Sequence, residues 1–544
     1  MSELRDNHPF HSWVPRPVGI VVLLLMFVPP TFSGGAYLSN LNEMAGSLGW
    51  LTEDVQLAGF FTSIGMCLFP PFMLRFLQTR RIRQTYLWCF LLLVPLNYCC
   101  AVTTSLPVLL IACLLTGFVR VMVMIHCTFT IAPYLTGMDT LAMFTMNQEP
   151  TPDVQYMLER KRTFLMPMLY FYILVISQGS NVLTAWFAYA YRWQHAYYVV
   201  IAMLLVGMLL VTFLMPGEKR KTGYRPEWEM LPDMLLMVIA LCCMAYMLVY
   251  GKTLGWWAAP GMRWALSVLL VVSSVFLFLA TRRRKHHYLP LEVFGYRNVW
   301  MSMLLFVLTM VLYSANMLVG IFIRIATPAS NLHIAALGGW AVVGCVAGLV
   351  VSLVLVVCKV RFRVVFVTAF MLMAAANAVL YFRIQTIGLY SGMVLPTVLN
   401  YMGLLMLYSL AAAFGMKHLP SRYLVTYVFL MIWMRNAIAP VVGASVYANW
   451  FYERQQHDIG RQAHSVDHQN TLASATYMQA IRTGQRQGKG TDESERMAVT
   501  LLKGRVTVQA SLVAIRNMAG STVWWLIGAA ALAMVLPYHK GETT

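Results

Sequence analysis

The chain has 544 residues, of which 59% are apolar and only 11% are charged, and its formal net charge is +19. Soluble domains usually contain about 25% charged residues, so this composition excludes an ordinary soluble protein and predicts one dissolved in a lipid bilayer. The basic residues stand in short clusters between apolar runs, which is typical of the loops of membrane proteins and argues against nucleic-acid binding.

Fourteen apolar segments are candidates to cross a bilayer as helices, since one crossing takes about 20 residues. The seventh and eighth segments leave twelve helices as the alternative count. The first segment is predicted to be retained rather than cleaved, because no A-x-A site follows it. The fourteen candidate spans are 17–39, 53–74, 84–102, 106–134, 163–188, 195–215, 231–250, 263–281, 298–323, 333–357, 364–382, 390–415, 422–449 and 519–537.

The distribution of basic residues predicts the orientation. If the N-terminus is cytoplasmic, twenty-four Lys and Arg residues fall on the cytoplasmic side and five fall in the short outer loops. Cytoplasmic loops carry such an excess, so both termini are predicted to lie in the cytoplasm of a bacterial-type inner membrane. The long segment 451–518 would then be periplasmic. Within it, residues 491–515 read either as an amphipathic helix leading into the last span or as part of a solvated linker.

Neither the cysteines nor the short motifs point to catalysis. All ten cysteines lie in apolar stretches without a CxxC pair, which indicates small apolar residues rather than a disulfide framework or a metal site. The chain contains no P-loop, zinc motif, nucleophile elbow or dinucleotide fingerprint. We therefore expect no enzyme activity and no cofactor.

Three segments resemble motifs of one family in the same order. Gly251–Trp256, Leu289–Asn298 and Met434–Ser445 are similar to segments of the fourteen-helix drug:proton antiporter branch of the major facilitator superfamily, the EmrB-type exporters. The resemblance is best after Gly251. The N-terminal half departs from it: the first span has no Asp, and Cys113 stands where the branch has an Arg in its fourth span.

This resemblance implies an all-α membrane protein built of two six-helix bundles. It implies a cytoplasmic tail (1–16), an N-terminal bundle (17–216), a linker with two extra spans (217–297), a C-terminal bundle (298–537) that includes the periplasmic segment, and a second tail (538–544). The implied function is secondary transport by alternating access, with proton-coupled export of amphipathic small molecules or drugs. Besides its substrate and the lipid bilayer, the implied partners are a periplasmic adaptor protein and an outer-membrane channel.

Two other functions stay open on the residues. The missing first-span Asp favours a transporter of another solute with different or no proton coupling. The lost motifs also permit a transporter-like sensor that binds without transporting.

Two basic residues lie inside the spans, where a charge costs roughly 2.5–3.5 kcal/mol and calls for an explanation. Arg120 follows Cys113 by two helical turns, so it could take over the role of the family's Arg or could donate to neighbouring carbonyls. Arg435 matches the family position directly, with gating or packing and substrate contact as alternatives. His126 could carry a proton, but it lies about 120° around the helix from Arg120 and also fits a buried core histidine.

The remaining candidates are outer acids and cavity-lining polar residues. Glu43, Glu53 and Asp54 stand at the outer ends of the first two spans, as proton acceptors or as helix-capping residues with Thr52 as the N-cap. An aromatic, weakly polar wall would suit an amphipathic substrate, although each residue also fits ordinary packing. The candidates for this wall are Tyr37, Asn316, Asn400 and Tyr401, with Ser33, Tyr313, Ser314 and Tyr408.

Overall fold

The computed structural model describes residues 9–69, 82–136, 152–217, 231–282, 291–326, 331–384, 390–464, 471–538 and 544. Within these ranges the regular structure is helical throughout, as predicted. The predicted basic clusters at 75–81, 219–225 and 283–285 lie outside them. The described helices are α1 (Arg16–Phe32), α2 (Leu41–Leu48), α3 (Thr52–Gly65), α4 (Ile82–Val102), α5 (Leu106–Thr136), α6 (Pro152–Ala190), α7 (Gln194–Leu214), α8 (Leu231–Tyr250), α9 (Pro260–Arg282), α10 (Arg297–Tyr313), α11 (Met317–Ala326), α12 (Asn331–Val357), α13 (Phe362–Arg383), α14 (Val394–Gly415), α15 (Ser421–Trp433), α16 (Ala439–Ala463), α17 (Thr471–Arg486) and α18 (Thr491–Val535).

The helices coincide with the predicted spans. Twelve helical segments in the described part of the chain are long and apolar enough to cross a membrane. The first two predicted spans hold α1 and α3, which have 17 and 14 described residues and are shorter than a full crossing. The prediction of an all-α, multi-pass membrane protein is confirmed. We call the membrane face at which α1 begins the start face, and the opposite one the far face.

The first predicted span ends earlier than expected. It was predicted to reach residue 39, but α1 ends at Phe32. Pro29 and Pro30 near its end lack the N–H groups that continue a helix, and Gly35 then takes a φ of +68° that turns the chain. The short helix α2 follows at the far face before α3 crosses back.

Glycines let the helices within each half approach closely. At Gly117 of α5 a Cβ would lie 1.9 Å from the carbonyl oxygen of Thr62 in α3. At Gly344 of α12 it would lie 2.4 Å from the carbonyl oxygen of Val398 in α14. Small residues at such crossings are how membrane helices gain van der Waals contact, since lipid removes the hydrophobic drive between them.

Three contacts join the two halves along a central seam. Helix α6 of the first half packs against α12 and α14 of the second half. On the other side, α3 contacts a π-helical turn, Met434–Ile438, that links α15 to α16. Helices α8 and α9, in the seventh and eighth predicted spans, take no part in these three contacts. Helix α8 packs on α3 and α16, while α9 packs mainly on α8 and buries only 6% of its apolar stretch.

The described part of the segment 451–518 is mostly helical rather than a loop. Helix α16 continues to Ala463, α17 packs on α18, and α18 begins at Thr491, which confirms the helix alternative for 491–515 and shows the linker alternative to be wrong. Gln455 donates to Ser511 at 2.7 Å, which ties α16 to α18. We call residues 451–463, 471–486 and 491–515 the far-face projection, because α16 leaves the membrane at the far face.

Candidate functional site

Two cavities lie on the seam, one on each side of the membrane centre. The central cavity, about 170 Å³, is lined by α5 and α6 from the first half and by α15 and the π-helical turn from the second. The polar cavity, about 360 Å³, is lined by α6 together with α11, α12 and α14. Ser39, just after α1, lines the polar cavity, which places that cavity toward the far face. Arg162, near the beginning of α6, places the central cavity toward the start face.

The π-helical turn positions Arg435 in the wall of the central cavity. Pro440 follows this turn and has no N–H to donate to the carbonyl of Asn436, so the ordinary ladder is interrupted. The amide of Ala439 instead reaches the carbonyl of Met434, one residue further back than in an α-helix. Such widened turns are frequent at functional sites.

Two contacts hold the Arg435 guanidinium, and a third holds the aromatic ring that it touches. Its Nε donates to Oδ1 of Asn436 at 3.0 Å. Its central carbon lies 5.5 Å from the ring centroid of Tyr170 in α6, a cation–π contact across the seam. Tyr170 in turn packs edge-on against Tyr408 of α14, with centroids 5.3 Å apart. Arg435 is thus held by an aromatic ring and an amide rather than by a carboxylate.

Arg120 approaches the same region from the first half. It lies on the face of α5 that carries Gly117, which is the face packed on α3. It is half-buried, and its Nε is a buried donor without a hydrogen-bond partner. Helix α3 also contacts the π-helical turn that carries Arg435. The two predicted intramembrane arginines therefore lie next to the same helix, on elements that come from different halves.

The polar cavity gathers three of the predicted wall residues. Asn316 and Tyr401 line it directly, and Asn400 donates to Asn316 at 3.5 Å. Gln178 and Asn181 of α6 face them from the first half. The lining also includes Arg324 and apolar side chains, so this cavity is a mixed surface with several polar groups that could orient a solute.

The outer acids do not line either cavity. Glu53 forms an ion pair with Lys252 at 3.0 Å, and Asp54 accepts a hydrogen bond from the hydroxyl of Tyr250. Asp54 also accepts from the backbone amide of Leu51 at 2.9 Å, so the capping role is present, but Leu51 rather than Thr52 is the N-cap residue. These contacts fasten α3 to the end of α8. Glu43 lies apart, in the first turn of α2.

Two further candidates are buried in the packing of the first half. The ring of His126 stacks on Tyr86 of α4, with centroids 5.0 Å apart and planes 5° from parallel. The hydroxyl of Tyr37 donates to the carbonyl of Phe32 at 2.6 Å, which satisfies the end of α1. Neither side chain lines the central or the polar cavity. His126 and Arg120 contact different neighbours of α5.

Sequence reasoning missed four residues of the site. Tyr170 and Arg162 line the central cavity, and Gln178 and Asn181 line the polar one. Gln178 and Asn181 could have been found, because two amides spaced i, i+3 inside an apolar span share one helix face. Among the described residues no group of three His, Cys, Asp or Glu could hold a metal ion.

Comparison with known proteins identifies the fold. No protein-family model and no curated protein sequence matches the chain. The crystal structure of tetrameric PepTSo2 matches with a TM-score of 0.51 at 13% identity, covering 95% of this chain and 98% of that chain. The peptide transporter POT in complex with sulfate matches with a TM-score of 0.50 at 11% identity, covering 97% and 99%. At such low identity the likeness shows the fold alone, which is that of the major facilitator transporters.

Proposed function

We propose that this protein is a secondary transporter that moves amphipathic small molecules across the membrane by alternating access. The observation that supports this most directly is the pair of cavities on one seam, one toward each face and both lined by the two halves. Alternating access requires a site between two halves that rock against each other, so that the site opens to one face at a time. The apolar and aromatic walls with few polar groups suit an amphipathic solute.

Export is the proposed direction, on the resemblance to the EmrB-type branch, with both termini in the cytoplasm of a bacterial inner membrane. The far-face projection would then be periplasmic and would be the surface that an adaptor protein meets. Peptides are the alternative substrate class, since the solved neighbours are peptide transporters.

Proton coupling through a carboxylate is left out of this proposal. No Asp or Glu lines either described cavity, and Glu53 and Asp54 are engaged by Lys252 and Tyr250. A transporter with different or no proton coupling therefore fits the described residues better than one that relies on these acids.

A cysteine cross-link tests alternating access without knowledge of the substrate. Glu159 of α6 and His418, after α14, contact each other across the seam at the start face, with Oε1 and Nδ1 3.8 Å apart. A disulfide in the double variant Glu159→Cys, His418→Cys should hold that face closed. Thr128 lines the central cavity and Asn316 the polar cavity, so each is replaced in turn by a reporter cysteine. Cys358→Ser removes the exposed native thiol from the background.

Maleimide labelling then gives the result. Oxidation should lower the labelling of Thr128→Cys and raise that of Asn316→Cys, and reduction should reverse both changes. The single variants Glu159→Cys and His418→Cys, which cannot form the cross-link, should respond to neither treatment. If the labelling of both reporter cysteines decreases on oxidation, or if neither labelling changes, the two cavities do not alternate and the proposal is wrong.

A further inference from the structure

The charged side chains that line the central cavity are all basic. Two arginines line the central cavity, Arg162 and Arg435, and its lining contains no Asp or Glu. Arg120 does not line this cavity, but it adds a further positive charge one turn of α5 before Met124, which does line it. Within the described part of the chain, neither Arg120 nor Arg435 forms an ion pair with a carboxylate. Charges held away from water are usually paired, so Arg120 and Arg435 lack a counter-charge among the described residues, whereas Arg162 interacts with Glu159.

The unsatisfied hydrogen-bonding groups at this place are all donors. Nε of Arg120 and Nδ2 of Asn436 are buried without an acceptor. The orientation of the Asn436 amide is fixed, because its oxygen already accepts from Arg435. A buried donor without a partner costs about 1–3 kcal/mol, so two of them beside two like charges call for a ligand rich in acceptor atoms.

The hydrogen bond to Asn436 uses Nε of Arg435 and leaves the terminal nitrogens as further donors. The face of the guanidinium rests near the ring of Tyr170. The terminal nitrogens of an arginine form a planar fork that matches a carboxylate or a sulfonate. Arg120 comes from the first half and Arg435 from the second, so an anion between them would touch both halves.

The other residues that line the central cavity indicate the chemical character of the rest of the ligand. Five methionines line it, Met66, Met124, Met166, Met416 and Met431. Methionine is flexible and polarisable and adapts to varied apolar shapes. A volume of about 170 Å³ is below the roughly 300–1,000 Å³ of sites for drug-sized molecules, which favours a body of one or two aromatic rings.

We propose that the substrate is an organic anion whose carboxylate or sulfonate bridges Arg120 and Arg435 while its apolar body fills the methionine-lined cavity. This rests on the proposed transport function and names its substrate class. It also gives binding a mechanical effect. In the empty protein the two arginines repel each other across the seam, and a bound anion replaces this repulsion by attraction to both, so the halves close on a loaded site.

Three matched probes test the charge requirement on the purified full-length protein in detergent. They share one naphthalene body: 1-naphthaleneacetic acid as its anion, 1-naphthaleneacetamide, and 1-naphthylmethylammonium. The anion should bind at least about tenfold more tightly than the amide, and the cation more weakly still. Tighter binding of the amine, equal binding of acid and amide, or no saturable binding of the acid up to about 1 mM would overturn the proposal.

Substitutions of the two arginines test the bridge. Arg120→Gln and Arg435→Gln should each weaken binding of the acid at least about tenfold and leave the amide unchanged, and the double variant should lose less than the product of the two losses. Arg435→Lys should restore part of the affinity, since it keeps the charge but not the fork. Variants that bind the acid as well as the native protein would refute the bridge.

A measurement on the empty protein separates ligand binding from a structural role. Because the two arginines repel each other, Arg120→Gln should melt at the same temperature as the native protein or higher. A structural arginine would instead lower the melting temperature when removed, and that result would also overturn the bridge. If the anion does not bind, the reciprocal labelling of the two cavities is still expected. If the cavities do not alternate, binding of the anion is still expected. The two proposals can therefore be refuted independently.

Discussion

The carboxylate of Glu159 accepts a hydrogen bond from the backbone amide of His418, 3.0 Å away, and joins the two halves at the start face. Glu159 belongs to α6, and His418 follows α14 with a φ of +58° that turns its amide toward the carboxylate. The His418 ring lies at 3.8 Å and is largely exposed. The backbone bond, rather than the ring, is therefore the main link in this contact.

Breaking this link should open the start face. Glu159→Ala removes the acceptor, and a hydrogen bond to a charged group contributes about 1.5–3 kcal/mol before screening at a half-exposed site. We expect labelling of Thr128→Cys from the start face to rise between about threefold and tenfold. Glu159→Gln keeps an acceptor, so labelling should rise less in this variant. His418→Ala keeps the backbone amide, so labelling should change little. A large effect of His418→Ala with none of Glu159→Ala would contradict this assignment.

We expect Tyr170 to support ligand binding through the face of its aromatic ring, which contacts Arg435. Tyr170→Phe keeps this face, whereas Tyr170→Leu removes a cation–π contact that contributes about 0.5–2 kcal/mol. We expect Tyr170→Leu to weaken binding of 1-naphthaleneacetate about two- to thirtyfold. Tyr170→Phe should stay within about threefold of the native protein. Equal losses in both variants would show that the hydroxyl, and not the ring, positions the guanidinium.

Two glycines of α12 form a matched pair for the packing of the second half. Gly344→Ala would place a Cβ 2.4 Å from the carbonyl oxygen of Val398 and 3.1 Å from Cβ of Tyr401, so α12 and α14 must separate. We expect a loss of about 1–3 kcal/mol and a lower melting temperature. Gly339→Ala has open space around it and should be neutral or stabilising by up to about 1 kcal/mol. Similar melting temperatures for the two variants would refute the close contact.

The ion pair of Glu53 and Lys252 should affect stability and not coupling. Its two side chains are 9% and 25% exposed, so it should contribute less than about 1 kcal/mol. Glu53→Gln and Lys252→Gln should each lower the melting temperature slightly, and the double variant should lose no more than the larger single loss. The dependence of transport on pH should be the same in all of them. A transport profile that shifts in Glu53→Gln alone would instead mark this carboxylate as a proton acceptor.

The orientation of the chain can be read from a native thiol. Cys358 is exposed at the start face, where α12 ends, and we expect it to be cytoplasmic. An impermeant maleimide should label it in inverted vesicles and not in intact cells. Gln487→Cys, in the turn between α17 and α18 of the far-face projection and made on a Cys358→Ser background, should show the reverse. Labelling of Cys358 in intact cells would reverse the topology.

Hydropathy predicted the helices well because each span has to bury about 20 residues in lipid whatever its neighbours are. The same reasoning located Arg120 and Arg435, since a charge in such a span is conspicuous. It did not predict the π-helical turn, because this depends on which carbonyl each amide reaches; Pro440 was the only local sign of it. It also did not predict α17 or decide between helix and linker for 491–515, because the polar residues of α17 and of the first part of α18 do not register in a hydropathy pattern.

The cavity was harder to predict than the helices. Arg162 stands beside Arg160 and Lys161 in the sequence, which is typical of a basic loop cluster, yet it lines the central cavity because α6 begins well before its apolar stretch. Nothing in the sequence distinguishes Tyr170 from the other aromatic residues of the apolar spans. Which face of a span meets the seam is set by the packing of other helices, and a single sequence contains no direct record of that packing.

Helix α18 runs for 45 residues without a break, about 67 Å at 1.5 Å per residue, while a bilayer core is only about 30 Å thick. Its membrane part packs along α13 and its other end forms part of the far-face projection. Because α18 is long and is held in the membrane at one end, a small tilt within the membrane displaces its other end by a larger distance. A single dye near Gln487 would therefore report the rocking of the second half from outside the membrane, without touching either cavity.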